Sequence, residues 1–310
     1  MPTLSSDLTL LASLFDLEQV AYESPNAQSV RQYYKWTNWF YRQFHSKEGA
    51  MHFPLYLPAG ATNHAEGLAE QARFVATYLT PEKAQNVTEI GCGSGYNLRN
   101  LARLYPEVSY QGIDVTPLHI WQASAYTRKA HLRNITFQQG AFSRLPVAQA
   151  SQDIVFAVES FCYTQNIKHD LAEVARILKQ GGKFIVYDVF LQPDFDLASP
   201  ALQLASRLTA VGFAVADWNR LSDLQQYAKE VGLHMEVCED LHTTLRPNLL
   251  RFQQDTRRLF EKTKLLRLLS QWHILPASWL KHAMTGLLAP YTMHEQVQGY
   301  YKIVLTKLDK

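Results

Sequence analysis

The chain has 310 residues, 47% of them apolar and 19% charged, with 30 Lys and Arg against 28 Asp and Glu. That is ample material for a buried core, which excludes wholesale disorder, and the formal charge of +2 is too balanced for a general phosphate-backbone binder. Length fits two common domains or one α/β domain carrying large insertions.

The N-terminal stretch MPTLSSDLTLLASLFDLEQV lacks the basic region of a signal peptide, and Asp7 and Asp16 interrupt its apolar run. No stretch approaches the length of an uncharged membrane span. Between residues 33 and 44 seven rings crowd together: Tyr33, Tyr34, Trp36, Trp39, Phe40, Tyr41 and Phe44. Most of that face is expected to pack an N-terminal helix onto the core. From Val87 onward, strand and helix patterns alternate. Short apolar runs predict strands at 87–90, 109–114, 135–138, 153–158 and 183–189, with helices at 98–105, 117–129 and 170–178 between them. Pro117 suits a first helical position, and Gly181-Gly182 marks a stop. A helix at 222–231 and strands at 233–238 and 300–306 complete the pattern.

Strands alternating with helices predict an α/β fold: a Rossmann-like, mostly parallel seven-stranded sheet with helices on both faces. The expected organisation is a helical cap at 1–65 and a sheet domain at 66–310, with helical lid insertions at 190–219 and 239–297. About half the chain is then decoration, and substrate choice should reside there. Residues 248–269 form a long amphipathic pattern with a stripe of Leu249, Phe252, Thr256, Leu259, Thr263 and Leu266. Residues 245–282 hold eight Lys and Arg against two acids, which fits a solvated helix face or a lid that docks on a membrane. A lid over the pocket is preferred, with transient membrane-surface contact through 245–282 as an addition.

The most informative segment is Glu89-Ile90-Gly91-Cys92-Gly93-Ser94-Gly95. Alternate glycines after a strand let the backbone turn tightly and approach a ligand. Tyr96 stands where a dinucleotide fingerprint needs glycine, and no Lys-Ser/Thr pair follows as in a P-loop. Glu89, aimed into such a turn, would repel a pyrophosphate but accept hydrogen bonds from an ammonium group. Asp114 ends the second strand, where a carboxylate can accept both hydroxyls of a ribose; alone, it could equally cap the helix at Pro117.

This pattern, an acid two residues before a glycine turn and another after the next strand, resembles the S-adenosylmethionine-dependent methyltransferases of the Rossmann-like class. The similarity covers about 66–189, including ARILKQGGKFIVYDV. The resemblance implies S-adenosyl-L-methionine as cofactor, with Glu89, Gly91, Cys92, Gly93, Gly95, Asp114, Val115, Ala141, Phe142 and Val158 around it. The turn after the third strand reads Gly140-Ala141-Phe142 where the family carries an Asp. Adenine recognition therefore falls to backbone groups or to stacking by Phe142.

The flanks are similar to a narrower group. YYKWTNWFY and AMHFPL resemble segments of the sterol and tocopherol C-methyltransferases, with a related segment in the cyclopropane fatty acid synthases. By that resemblance Tyr33 and Tyr34 lie against the methyl donor. AVESFCYTQN matches a sterol-enzyme segment at Glu159 and Cys162, while Tyr163 replaces its histidine. Glu159, Tyr163 and His52 are the catalytic candidates. Glu159 is as well suited to a base or cation stabiliser as to a structural carboxylate ordering 160–166. His52 and the neighbouring His64 are candidate bases, though a lone histidine is more often structural.

The expected activity is methyl transfer to a lipophilic small molecule, to carbon of an isoprenoid or lipid-like acceptor. Oxygen or nitrogen of a small hydrophobic metabolite is the alternative, and a non-catalytic binding homologue the third. No nucleic-acid partner and no metal are expected. Cys92, Cys162 and Cys238 make neither a disulfide framework nor a zinc pair, which suits the cytoplasm.

Overall fold

A computed structural model describes residues 3–40, 45–57, 60, 63–80, 86–272, 274–294 and 297–308. The chain begins with helices α1 (Leu4–Ala12), α2 (Leu17–Ala21), α3 (Ala27–Phe40) and α4 (His64–Ala76). The alternating region follows as β1 (Asn86–Ile90), α5 (Tyr96–Leu104), β2 (Ser109–Asp114), α6 (Pro117–Lys129), β3 (Ile135–Gln139), β4 (Gln152–Val158), α7 (Ile167–Ile177) and β5 (Leu178–Leu191). Then come α8 (Pro200–Gly212), α9 (Leu221–Glu230) and β6 (Leu233–Asp240), and α10 (His242–Phe260), α11 (Thr263–Gln271), α12 (Ala277–His294) and β7 (Gln298–Lys307).

The strands form one seven-stranded sheet in the order β3-β2-β1-β4-β5-β7-β6. β1 pairs in parallel with β2 and β4, β2 with β3, and β4 with β5, while β7 runs antiparallel to β6. This is the mostly parallel α/β sheet expected from the sequence. The steps β1→β2→β3 and β4→β5 run in opposite directions from the centre. Right-handed crossovers therefore place α5 and α6 on one face and α7 on the other. The same reversal makes the carboxyl ends of β1 and β4 the switch point of the sheet, where ligands of such folds bind.

Two compact units emerge. One comprises 41–189, 221–241 and 301–310 and contains the sheet core, with Ile90, Leu98, Leu101, Phe156, Phe161 and Phe184 fully buried. The other gathers 1–40, 190–220 and 242–300 around Leu11, Leu208, Phe260, Met284, Leu287 and Leu288. Residues 41–65, grouped with the cap in the sequence reading, belong to the sheet unit.

Two local differences have physical causes. β5 starts at Leu178, before the glycine pair, because its pairing with β4 shifts register between Gln152 and Ile154 and accommodates Gly181-Gly182 within the strand. The long amphipathic pattern at 248–269 is divided between two helices, α10 and α11. The Thr263 hydroxyl donates to the Phe260 carbonyl (2.9 Å), and Lys262 takes the N-cap position of α11.

Candidate active site

β1 delivers Glu89 to the switch point and breaks into the glycine turn. Gly91, Gly93 and Gly95 all have positive φ (71°, 50° and 75°), and Gly95 is the N-cap of α5. At Gly91 a Cβ would collide with the Ser160 side chain, whose hydroxyl donates to the Ile90 carbonyl (2.8 Å). The turn after β4 is thus fastened to the turn after β1.

Glu89 is only 2% exposed. Its Oε1 accepts from Asn97 Nδ2 (2.9 Å), and its Oε2 has no hydrogen-bond partner among the described residues. Burial pushes its pKa up to about 8, against the opposing pull of Asn97 and Arg99. Asn97 Oδ1 and, beyond β2, Thr116 Oγ1 are likewise buried without a hydrogen-bond partner among the described residues. Buried polar atoms in folded chains are normally satisfied, so these open atoms at the ends of β1 and β2 are available to a polar ligand.

Asp114 is anchored differently. Its Oδ2 accepts from the Gly93 N–H (2.9 Å), and its Oδ1 accepts from the Thr116 N–H (2.8 Å), with His119 Nδ1 3.2 Å away. Burial opposes its charge, but His119 and the two backbone donors hold its carboxyl below the usual range. One buried acid thus leans toward its neutral form and its neighbour toward the anion.

The other expected cofactor residues lie at neighbouring strand ends. Cys92 is buried, and burial pushes its thiol well above the usual value. Val115 is half-buried, and its carbonyl accepts from Gln139 Nε2 (3.3 Å). Val158 is buried and Ala141 exposed. Phe142 is half-buried, its ring 6.0 Å from that of Phe161.

Glu159 has φ +46°, a left-handed conformation rare for a side-chain-bearing residue and characteristic of functional turns. Its N–H donates to the Tyr187 carbonyl (2.7 Å), and its Oε1 accepts from the Phe53 N–H (2.8 Å). The segment around Phe53 is tied down elsewhere too. Ser94 Oγ donates to the Gly49 carbonyl (2.7 Å), and the buried Arg99 donates to the carbonyls of Ser94 and Glu48. His52 is buried, and its Nε2 donates to the Leu68 carbonyl (2.9 Å). Desolvation lowers its pKa to about 4, so the ring is neutral. Tyr163 is half-buried in the short 3-10 turn Phe161–Tyr163.

Asn97, Arg99, His119, Ser160 and Asp188 were not singled out from the sequence. Asp188 is buried at the end of β5 and accepts from the Cys162 N–H (2.8 Å) and its neighbour Val189 (2.9 Å); burial raises its pKa to about 6. Asn97 and His119 each occupy the first turn of the helix after an acid-bearing strand, a position that could have flagged them.

Tyr33 and Tyr34 belong to the helical unit. Tyr33 is buried with its hydroxyl 2.9 Å from His282 Nδ1, and Tyr34 meets its ring edge-on (4.9 Å between centroids). Side-chain placement in the rest of the aromatic segment, including Tyr41 and Phe44, lies outside the described residues. Among the described residues no cluster of three His, Cys, Asp or Glu could hold a metal ion.

Residues 87–182 match the model of a family described as "Methyltransferase domain". By that match, residues 87–182 are similar to a methyltransferase domain. It is similar to 24-methylenesterol C-methyltransferase 2 of Oryza sativa subsp. japonica, 26% identical over 73% of this chain and 62% of the relative. It is also similar to the O-methyltransferase cnsE of Penicillium expansum, 26% identical over 58% of this chain and 63% of the relative. The chain therefore spans less than two thirds of either relative's length. Among solved structures, the cyclopropane synthase MmaA2 of Mycobacterium tuberculosis shares the fold of this chain. Its TM-score is 0.72 at 12% identity, covering 92% of this chain and 100% of that one.

Proposed function

We propose that this chain is an S-adenosylmethionine-dependent methyltransferase acting on a lipophilic small molecule, at carbon of an isoprenoid or lipid-like acceptor. The observation that carries the cofactor reading is Glu89: a buried carboxylate beside a positive-φ glycine turn, with one oxygen lacking a hydrogen-bond partner among the described residues. Glu89 Oε2 accepts from the amino group of the donor's methionine part, with Asn97 fixing the other oxygen. Asp114, its carboxylate oriented by Gly93 and Thr116, accepts from the ribose hydroxyls. Phe142 offers a half-buried ring for the adenine, in place of a side-chain acceptor after β3. When bound, the cofactor supplies an electrophilic methyl group.

A carbon acceptor gains positive charge on methylation and must lose a proton. Glu159, held at the switch point by Phe53 and by its own N–H, is the group proposed to take that proton. His52 is a weaker base, buried and engaged with Leu68. The similarity to sterol C-methylating enzymes supports carbon; the similarity to an O-methyltransferase supports the heteroatom alternative. An acceptor of this kind resides in lipid surfaces, which residues 245–282 would contact transiently. Three free cysteines fit action in the cytoplasm. Among the described residues no helix is long and apolar enough to cross a membrane.

Calorimetry tests the cofactor. Glu89→Ala and Asp114→Ala should each weaken donor binding by about a hundredfold or more, the loss of a buried charge-assisted hydrogen-bond partner. Unchanged binding in both would overturn the assignment. Mass spectrometry of the product then locates the methyl group. Carbon methylation lost in Glu159→Gln with donor binding intact supports the base, and a methyl on oxygen or nitrogen selects the alternative.

A further inference from the structure

α11 is apolar on two sides, and only one of them is used by the fold. Leu266 points inward, 2% exposed, among Phe260, Leu280, Met284 and Leu287. Leu265 and Leu268 are 49% and 48% exposed, Trp272 70% and Ile274 58%. On a helix the spacing of Leu265, Leu268 and Trp272 brings them to one face, one turn apart. Four of the chain's exposed large apolar side chains thus fall within ten residues, where single scattered ones are ordinary.

The border of this face is cationic. Lys262 and Lys264 are exposed at the start of α11, which has no acidic residue of its own, although Glu261 is exposed just before it; Arg258, exposed near the end of α10, is paired with Asp255 (3.8 Å). Other basic residues of the segment are already committed within the helical unit. Arg257 pairs with Asp7, Arg267 donates to the Ser13 carbonyl, and Lys281 pairs with Glu23. A short helix with leucines and a tryptophan outward and lysines alongside has the chemistry of an interfacial helix, its rings and leucines entering the headgroup boundary while its lysines meet lipid phosphates.

We infer that the Leu265–Ile274 face docks on an anionic lipid surface. This deepens the proposed reading of a lipophilic acceptor and rests on it for its purpose, which is to take that acceptor from the membrane. A single helix of nine residues gives reversible attachment, which suits an enzyme that must leave with its substrate.

The test is flotation with vesicles of phosphatidylcholine, with and without about a third phosphatidylglycerol, read alongside donor calorimetry on the same protein. The expected result is binding to the anionic vesicles that weakens as salt rises from about 0.05 to 0.5 M. Leu265→Glu/Leu268→Glu should lower that binding at least tenfold, and Lys262→Glu/Lys264→Glu should lower it on anionic vesicles only. All four positions are exposed, so circular dichroism and donor affinity should not change. Wild-type protein that ignores anionic vesicles, or a leucine variant that binds them equally well, overturns the inference. So does a wild-type dimer that Leu268→Glu makes monomeric, since a second copy would then cover the face. Lost donor binding with intact vesicle binding would instead count against the cofactor reading.

Discussion

Asp7 in the helical unit and Glu89 in the sheet unit are equally buried, each 2% exposed, yet their surroundings are opposite. Both oxygens of Asp7 are held. Arg257 donates to Oδ1 through Nε (3.2 Å) and to Oδ2 through its terminal nitrogen, and the Tyr291 hydroxyl donates to Oδ2 (2.7 Å). Glu89 has the Asn97 amide on one oxygen, only the Leu98 N–H besides, and no charged or hydroxyl partner among the described residues; its Oε2 is left open. Burial therefore does not distinguish a structural acid from a ligand-facing one; the number of partners does. The α11 face shows the converse departure, four exposed apolar groups gathered in one stretch, where the other exposed ones of the helical unit, Tyr22, Leu197 and Leu250, stand singly. In both places the local rule is broken where an outside partner would restore it.

The strongest way to break this comparison is to remove Asp7. Asp7→Ala leaves the half-buried Arg257 guanidinium with only the Tyr291 hydroxyl (3.3 Å), and should cost about 2–3 kcal/mol in urea unfolding. Donor affinity of the folded fraction should be unchanged. A cost under about 1 kcal/mol would mean that the triad is incidental and that partner number does not sort the two acids.

Glu89→Gln should act with the opposite sign. The folded pKa, about 8, lies above the value of an exposed glutamate. Its contribution to stability is therefore fully present below the unfolded pKa and lost as pH rises through about 8. The amide cannot ionise, so the variant should be more stable than the wild type at alkaline pH, by on the order of 2 kcal/mol, while binding donor poorly. Thermal unfolding from about pH 6 to 9 reads the first effect and calorimetry the second. In the wild type, an ammonium ligand requires the ionised carboxylate, so donor binding should release a proton at neutral pH and tighten as pH rises toward 8. A pH-independent affinity across that range would remove Glu89 from contact with the cation.

The glycine turn, Asp114 and most strand positions were legible in the sequence because each depends on local order. β2 and α6 fall at 109–114 and 117–129, where the apolar run and Pro117 put them. The two-helix break at 261–262 was not legible, since the apolar stripe continues through it while the Thr263 hydroxyl takes up the Phe260 carbonyl at the end of α10. Nor were the partners that assemble the site. Phe53 meets Glu159 across 106 positions and Ser160 meets Ile90 across 70, pairings that the sheet topology creates and periodicity does not encode. Unsatisfied atoms are also invisible in sequence: Glu89 stands out by spacing, but its open oxygen appears only once Asn97 is placed.

The smallest expected effect concerns Tyr33, where the resemblance and the structure suggest different work for one hydroxyl. As a donor-side residue it would touch cofactor; in the helical unit it is buried 2.9 Å from His282 Nδ1. Burial lowers the His282 pKa to about 4, so the ring is neutral, and a backbone hydrogen bond at Gly212 engages it as well. Tyr33→Phe keeps the ring packing and deletes only the hydroxyl. A structural hydrogen bond predicts a loss of about 1 kcal/mol in unfolding free energy with donor affinity within about twofold. A tenfold fall in donor affinity at unchanged stability would return Tyr33 to the donor site. Because one buried polar contact is at stake, the stability arm needs Tyr33→Phe/His282→Phe as a comparison: coupling of the two changes ties the effect to this pair, and additivity ties it elsewhere.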